Sequence, residues 1–386
     1  MPTNFDTVID RRNTGTLKWG RYENRDILPL WVADMDFAAP DVVLDAIRAR
    51  LDHGVLGYSA PHPGINESIL AYLKRDHQID AESESIHWLP GLVPAKSMAC
   101  RAVGQPGEGV IIQTPVYPPF FQVHKDAEMR LIRVPLGRND ATNGSWAIDF
   151  DALEASVTPD TRVFLFCNPH NPVGRAWSEQ DVRRIADFCL RHHLLLVSDE
   201  IHCDLILDPT IRHFSAARLE GPIRKNLIVL MAASKTYNLP GLSLAFALIP
   251  DASLRIKFKA AGGKLIPELN PLSYHATQAA FDHAEPWRQD LLSYLRANRD
   301  YLQSYLAEHI PQIKMALPLE ATYLAWLDPR ELAIERPQPF FEAAGVGLSE
   351  GADFGAPGFL RLNFGCPRST LEEALNRMKN ALAARK

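Results

Sequence analysis

Three polar positions each follow an uninterrupted apolar run, and their residue types suit one kind of chemistry. Lys235, in Ala233-Ser234-Lys235-Thr236-Tyr237-Asn238, comes shortly after the run LIVLM at 227–231. A lysine there is either a cation snorkelling at a strand end or a desolvated amine able to condense with a carbonyl as a Schiff base. Asp199, in Ser198-Asp199-Glu200-Ile201-His202, follows LLLV at 194–197. Such a carboxylate is a turn residue, or the partner of a heterocyclic nitrogen that must stay protonated. The turn Asn168-Pro169-His170-Asn171-Pro172-Val173-Gly174 follows RVFLFC at 162–167, and its two X-Pro steps and glycine make it rigid. An asparagine held in that turn can donate a hydrogen bond to a phenolate oxygen.

Two further segments add to the pattern. Gly91-Leu92-Val93 stands ahead of a helix, where free backbone amides and the positive dipole end suit a phosphate. Tyr117, among the prolines of Thr114-Pro115-Val116-Tyr117-Pro118-Pro119, can stack on a flat ring. Each feature alone is better read as ordinary structure: a strand-to-helix turn, a cap, a packed aromatic. Their order is more specific. Asn171, Asp199 and Lys235 are separated by 28 and 36 residues, each beyond a buried strand. An amine, a carboxylate, an amide donor, a phosphate cradle and a stacking ring are the groups that pyridoxal-5′-phosphate (PLP) requires.

These residues need a scaffold that brings strand ends together. The runs at 109–113, 162–167, 194–197, 227–231 and 244–249 read as strands covered on both faces. Ser178-Glu179-Gln180-Asp181 opens a helix to about His192, with Val182, Ile185, Ala186 and Cys189 on one face. Strand, helix, strand in succession predicts parallel pairing, with ligands at the carboxyl ends of the strands. Beyond residue 285 the pattern changes to a long helix at 286–309, short strands at 322–327 and 359–364, and a last helix capped by Ser369-Thr370-Leu371-Glu372. The expected fold is α/β: a mostly parallel central sheet covered by helices, plus a smaller α/β domain. The large PLP-binding domain is placed at 53–285, and the small domain at 1–52 with 286–386.

Composition excludes several other classes. The chain has 386 residues, 46% hydrophobic and 23% charged, with a formal net charge of −5. That supports a sizeable core and argues against a nucleic-acid footprint or a membrane surface. The N-terminus has no basic-then-apolar leader, and no apolar run is long enough to span a bilayer. Five scattered cysteines (Cys100, Cys167, Cys189, Cys203 and Cys366) form no CxxC, which suits reduced thiols in a cytoplasm. No metal site is expected: His192-His193 reads as a helix end, and Cys203 as a packed thiol.

The order N-P-x-N-P-x-G, D-E, S-K resembles that of fold-type I PLP enzymes of the class I/II aminotransferase superfamily, over nearly the whole chain. The resemblance implies the aspartate aminotransferase-like fold. It makes Lys235 the Schiff-base lysine, Asp199 the pyridinium partner, and Asn171, in preference to Asn168, the ligand of the ring oxygen. It makes Tyr117 the stacked residue and the Leu92 and Val93 amides part of the phosphate cradle. Arg361, in Phe359-Leu360-Arg361-Leu362-Asn363-Phe364, becomes the clamp on the substrate carboxylate. Tyr58, in Gly57-Tyr58-Ser59, becomes a residue offered across a homodimer with a shared active site.

A narrower likeness follows from Trp31-Val32-Ala33-Asp34-Met35-Asp36-Phe37, Ser198-Asp199-Glu200-Ile201-His202-Cys203-Asp204, Ser234-Lys235-Thr236-Tyr237-Asn238 and Thr322-Tyr323-Leu324-Ala325-Trp326-Leu327. These resemble the MalY/PatB-type cystathionine β-lyase branch, in which a substrate-gripping backbone amide falls near Ala33. Two departures from the transaminase pattern agree. His202 stands where many transaminases have tyrosine, and Ser243 where many have a phosphate-holding arginine. Ala232 replaces a frequent serine, which leaves Ser234 to supply a hydroxyl. The implied reaction is α,β-elimination of cystathionine or another S-substituted cysteine to thiol, pyruvate and ammonia. An aminotransferase is the alternative, because both reactions share the same cofactor motifs. A non-catalytic PLP-binding regulator is the third reading, and intact Lys235, Asp199 and Arg361 argue against it.

Overall fold

The computed structural model describes residues 3–139 and 144–385; Met1 and Pro2, part of the N-terminal stretch read above, lie outside them. Seven strands build one sheet: β1 (Ile86–Leu89), β2 (Gly109–Thr114), β3 (Arg130–Pro135), β4 (Thr161–Cys167), β5 (Leu195–Asp199), β6 (Leu227–Met231) and β7 (Ala245–Leu248). Their spatial order is β1-β7-β6-β5-β4-β2-β3. All five apolar runs form strands within two residues of their expected ends. β1 and β3 were not anticipated, because neither IHWL nor RLIRVP is an uninterrupted apolar run. β3 is an edge strand whose Arg130 and Arg133 are exposed, as suits an edge that must not pair further.

Both faces are covered. Ile111, Phe164, Phe166, Leu196 and Val229 point to one core, and Val110, Ile112, Leu165, Val197 and Leu230 to the other. That alternation is the two-residue period of a strand buried on both sides. The helices include α1 (Asp41–Asp52), α2 (Leu92–Val103), α3 (Glu179–Arg191), α4 (Pro271–His283), α5 (Glu285–His309) and α6 (Arg368–Ala384). α3 starts at the expected capping box: Ser178 Oγ accepts from Asp181 N at 3.1 Å, and Asp181 Oδ2 accepts from Ser178 N at 3.2 Å.

The sheet is mostly parallel as expected, with one strand reversed, and the expected cap of the last helix is corrected. β7 pairs antiparallel with β6 and with β1, whereas β6, β5, β4, β2 and β3 are parallel. The chain between β6 and β7 holds only short turns and a 3₁₀ turn at Pro240–Leu242, so no crossover helix carries it back to the sheet's other end. The last helix begins at Arg368 behind Pro367, with no side-chain cap. Proline's restricted φ presets the chain there, ahead of Ser369.

A second, four-stranded antiparallel sheet holds β8 (Leu324–Asp328) and β9 (Leu360–Asn363) between Lys314–Met315 and Ser349–Glu350. Near the N-terminus, Leu28–Pro29 pairs in parallel with Val346–Gly347. Among the described residues, no helix is long and apolar enough to cross a membrane.

Candidate active site

The carboxyl ends of β4, β5 and β6 lie side by side, with Cys167 opposite Asp199 and Asp199 opposite Leu230. Asp199 ends β5, while Asn171 and Lys235 sit in the turns just beyond β4 and β6. A cavity of about 270 Å³ opens there, lined by these three and by Tyr117, His202, Ser234, Leu92, Val93 and Ala33. A second cavity of about 340 Å³ adjoins it, sharing Ala33, Tyr117 and Lys235 and reaching Arg361. Tyr58 lines neither cavity and is 96% exposed.

Lys235 is held by the N-terminal segment. Its Nζ donates to the Ala33 carbonyl oxygen at 2.7 Å, and Tyr323 Oη donates to the same oxygen at 2.9 Å. Asn238 Oδ1 accepts from Met35 N, and Asn238 Nδ2 donates to the carbonyls of Met35 and Phe37. Asn363 Nδ2 donates to the carbonyls of Val32 and Asp34. Buried Lys18 and partly buried Arg11 pair with Asp36, and Arg11 also with Asp34. Residues 32–37 therefore lie against the Lys235 turn by a dense set of directed bonds. Burial pushes the Lys235 amine down to about 8, with Arg361 adding to this and Asp34 and Asp199 opposing it.

Arg361, on β9, is 3% exposed. It donates from Nη2 to the Trp31 carbonyl at 2.8 Å and from Nη1 to Asn171 Oδ1 at 3.0 Å. An arginine can only donate, so the oxygen of the Asn171 amide must face it. The Asn171 NH₂ is thereby turned away from Arg361. The Asn171 carbonyl in turn accepts from Tyr117 N at 3.1 Å, which ties the stacking tyrosine to the same turn. Gly174 closes the turn at φ +71, and a Cβ there would clash with Leu319 Cδ1.

Around Asp199 the structure adds a residue that sequence reasoning missed. Lys96, on α2, places Nζ 2.7 Å from Asp199 Oδ2, with both side chains buried. The available signal was a lysine on an otherwise apolar helix face, between Leu92, Ala95 and Ala99. α2 starts at Gly91 with no side-chain cap, so its first amides are free to face an anion. His202 is buried, and burial with the charges of Lys235 and Arg361 pushes it down to about 3, so it is neutral. Ser243 stands in the left-handed region at φ 50 and lines the same cavity.

A second buried polar group lines neither cavity. Asp204 accepts from Tyr72 Oη at 2.9 Å and pairs with His77 Nε2 at 2.9 Å, and Cys203 Sγ is 3.7 Å from Tyr72 Oη. Cys203 is buried as expected, yet a histidine and a tyrosine distant in sequence surround it. Burial alone would raise the Asp204 carboxyl, but His77, Arg288 and Tyr72 hold it down at about 2. His192 caps α3 and pairs with Glu154 at 2.7 Å.

The donor set fits PLP. The uncapped start of α2 suits a phosphate. Among the described residues, buried His202 Nδ1 and Arg361 Nε have no hydrogen-bond partner. Lys235, Asp199 and Asn171 enter one cavity with an amine, a carboxylate and an amide.

Comparison with known proteins agrees. The family model "Aminotransferase class I and II" matches residues 25–378. Cystathionine beta-lyase PatB of Bacillus subtilis (strain 168) is 36% identical over 396 residues, spanning 98% of this chain and 100% of that protein. The crystal structure of OvoB superposes with a TM-score of 0.94 at 39% identity, covering 99% of this chain and 100% of that one. Cystalysin from Treponema denticola, whose structure contains pyridoxal 5′-phosphate, superposes with a TM-score of 0.94 at 33% identity, covering 100% of both chains. With a match over most of its length, the chain belongs to the class I and II aminotransferase family.

Proposed function

We propose that this protein is a PLP-dependent carbon–sulfur lyase, which eliminates thiol from cystathionine or another S-substituted cysteine. The observation that carries the PLP chemistry is the convergence of Lys235, Asp199 and Asn171 on one cavity beside buried Arg361. An aminotransferase would share it, so the choice of elimination rests on the likeness to cystathionine beta-lyases. The names of the relatives support the same reaction class. When bound, PLP supplies a carbonyl for Lys235 and an electron sink for the charge left at Cα.

The chain's own groups do the rest. Arg361 grips the substrate α-carboxylate with a planar fork of donors, assisted by a backbone amide at Ala33. Lys235, with its amine at about 8, is neutral often enough near pH 8 to take the Cα proton. The Cβ–S bond then breaks, and thiolate leaves with the electron pair; pyruvate and ammonia follow by hydrolysis. Asp199 would hold the ring nitrogen, the Asn171 NH₂ the ring oxygen, and Tyr117 the ring face. The Leu92 and Val93 amides and Ser234 would hold the phosphate, and neutral His202 would line the ring's site without adding charge.

The same reading includes a homodimer with a shared site. Tyr58 is offered outward on a stretch where Val55 and Leu56 are also exposed, an apolar patch that suits a partner subunit. It divides the chain into a large unit, 53–285, and a small one of 1–52 with 286–386. Five free, buried thiols suit a reducing cytoplasm. The test is incubation of the PLP-loaded protein with cystathionine and no keto acid. Release of thiol and pyruvate is expected; turnover that needs added 2-oxoglutarate would make the protein an aminotransferase.

A further inference from the structure

Lys96 has a place that the reaction as described does not use. It lies about one turn into α2, the helix whose start lines the cavity. Its side chain is 1% exposed, its Nζ is 2.7 Å from Asp199 Oδ2, and it stands 4.6 Å from the centroid of the Phe120 ring. A buried ammonium is costly unless paired. Here the pairing carboxylate is the one that also ends β5 at the cavity. Among the described residues, Asp199 Oδ1 accepts only a long bond, from Ile201 N at 3.3 Å. Among the described residues, the titratable groups interacting with Asp199 are Lys96 from α2, Cys167 from β4 and Lys235 from the turn after β6. His202, which is neutral, and Tyr117 line the same cavity. Burial pushes the Cys167 thiol up, which keeps it neutral. Neighbouring Glu200 is engaged by Ser198, His213 and Ala216 N. Lys96 and Lys235 are therefore the cations that act on Asp199.

We propose that Lys96 is a positioning residue that, through Asp199, lowers the proton affinity of the cofactor's ring nitrogen and so favours Cβ elimination over transamination. The inference rests on the reading of Asp199 as the ring-nitrogen partner. A carboxylate shared with a buried ammonium holds a second cation less firmly, and the ammonium repels that cation directly. A less firmly protonated ring withdraws fewer electrons. The pair freed when Lys235 takes the Cα proton then remains near Cα and Cβ. There it forms the Cα–Cβ double bond as the Cβ–S bond breaks and thiolate takes that bond's electrons. Transamination instead needs the charge at the cofactor's C4′, where a proton is returned.

The test compares PLP-loaded wild type, Lys96→Met, Lys96→Gln, Lys96→Arg and Asp199→Asn. Two quantities are read: the ¹⁵N resonance of ring-labelled PLP against pH, and the ratio of amino-form cofactor to pyruvate made from cystathionine. Lys96→Met and Lys96→Gln should raise the ring-nitrogen titration by about one pH unit or more, a tenfold change in proton affinity. Both should also raise the transamination ratio by about tenfold, while Lys96→Arg keeps the wild-type values. The inference is overturned if Asp199→Asn moves the nitrogen signal but the neutral Lys96 variants stay within twofold of wild type. It is also overturned if Lys96→Arg changes as much as they do, which marks a packing role. If Asp199→Asn leaves the signal unmoved, the Asp199 reading itself fails, and the inference with it.

Discussion

Replacing Arg361 with methionine removes the guanidinium fork and keeps an unbranched apolar side chain at the site. In the free protein the fork donates to three neutral oxygens, Trp31 O at 2.8 Å, Asn171 Oδ1 at 3.0 Å and, more weakly, Ser349 Oγ at 3.4 Å. Burial lowers its basicity to about 10, so it stays charged at neutral pH. A substrate carboxylate gains two charge-assisted hydrogen bonds from it, each contributing about 1.5–3 kcal/mol. Their loss corresponds to about 3–6 kcal/mol, or roughly 10²–10⁴ in kcat/KM. Most of this should appear in KM, because the carboxylate is gripped in substrate and transition state alike. Cofactor affinity should change by only about tenfold or less, through the one bond that orients the Asn171 amide. The assay is steady-state pyruvate release from cystathionine, on protein whose lysine-bound cofactor absorbance matches wild type. Arg361→Lys, which keeps the charge without the fork, should fall between the two. A loss below about tenfold in a fully loaded Arg361→Met protein would refute a carboxylate clamp at this position.

Lys235→Ala should abolish the lysine-bound cofactor absorbance and elimination while circular dichroism stays unchanged; a persisting band would refute the assignment. The rate of PLP uptake by cofactor-free protein should rise through about pH 8 and then level, and a midpoint near the ordinary lysine value of 10.5 would contradict the burial argument. Asp204 is held at about 2 against an ordinary 3.8, so its stabilisation is complete above that ordinary value and is lost as pH falls toward 2. That shift corresponds to about 2 kcal/mol, so the difference in urea midpoint between wild type and Asp204→Asn should narrow from pH 5 to pH 3; a constant difference would sink the idea. Mixing inactive Lys235→Ala with inactive Tyr58→Ala should restore activity if subunits share sites, since the hybrid has one site with both residues intact. No recovery from refolded mixtures would argue against the shared site.

Much of the site was legible in the sequence because strand ends are local features. The runs before Asn171, Asp199 and Lys235 are apolar on successive residues, and that pattern alone places three polar groups at one sheet edge. The capping box at Ser178 was legible for the same reason, since its partners are three residues apart. The antiparallel return of β7 was not, because strand direction depends on how the 232–244 connection folds rather than on the run it leads to. Tyr323 gave no signal of its own: its hydroxyl meets the Ala33 carbonyl across 290 positions.

The sequence by itself determined the sheet's buried strands, the order of the cofactor-type residues and the family likeness, because each rests on residue type and short-range spacing. Only the tertiary structure decided how those residues are charged and oriented. Arg361 sets the Asn171 amide from 190 positions away, and Lys96 reaches Asp199 from 103 positions away. Such contacts arise where separate elements converge, and burial there, not residue identity, sets Lys235 near 8 and keeps His202 neutral.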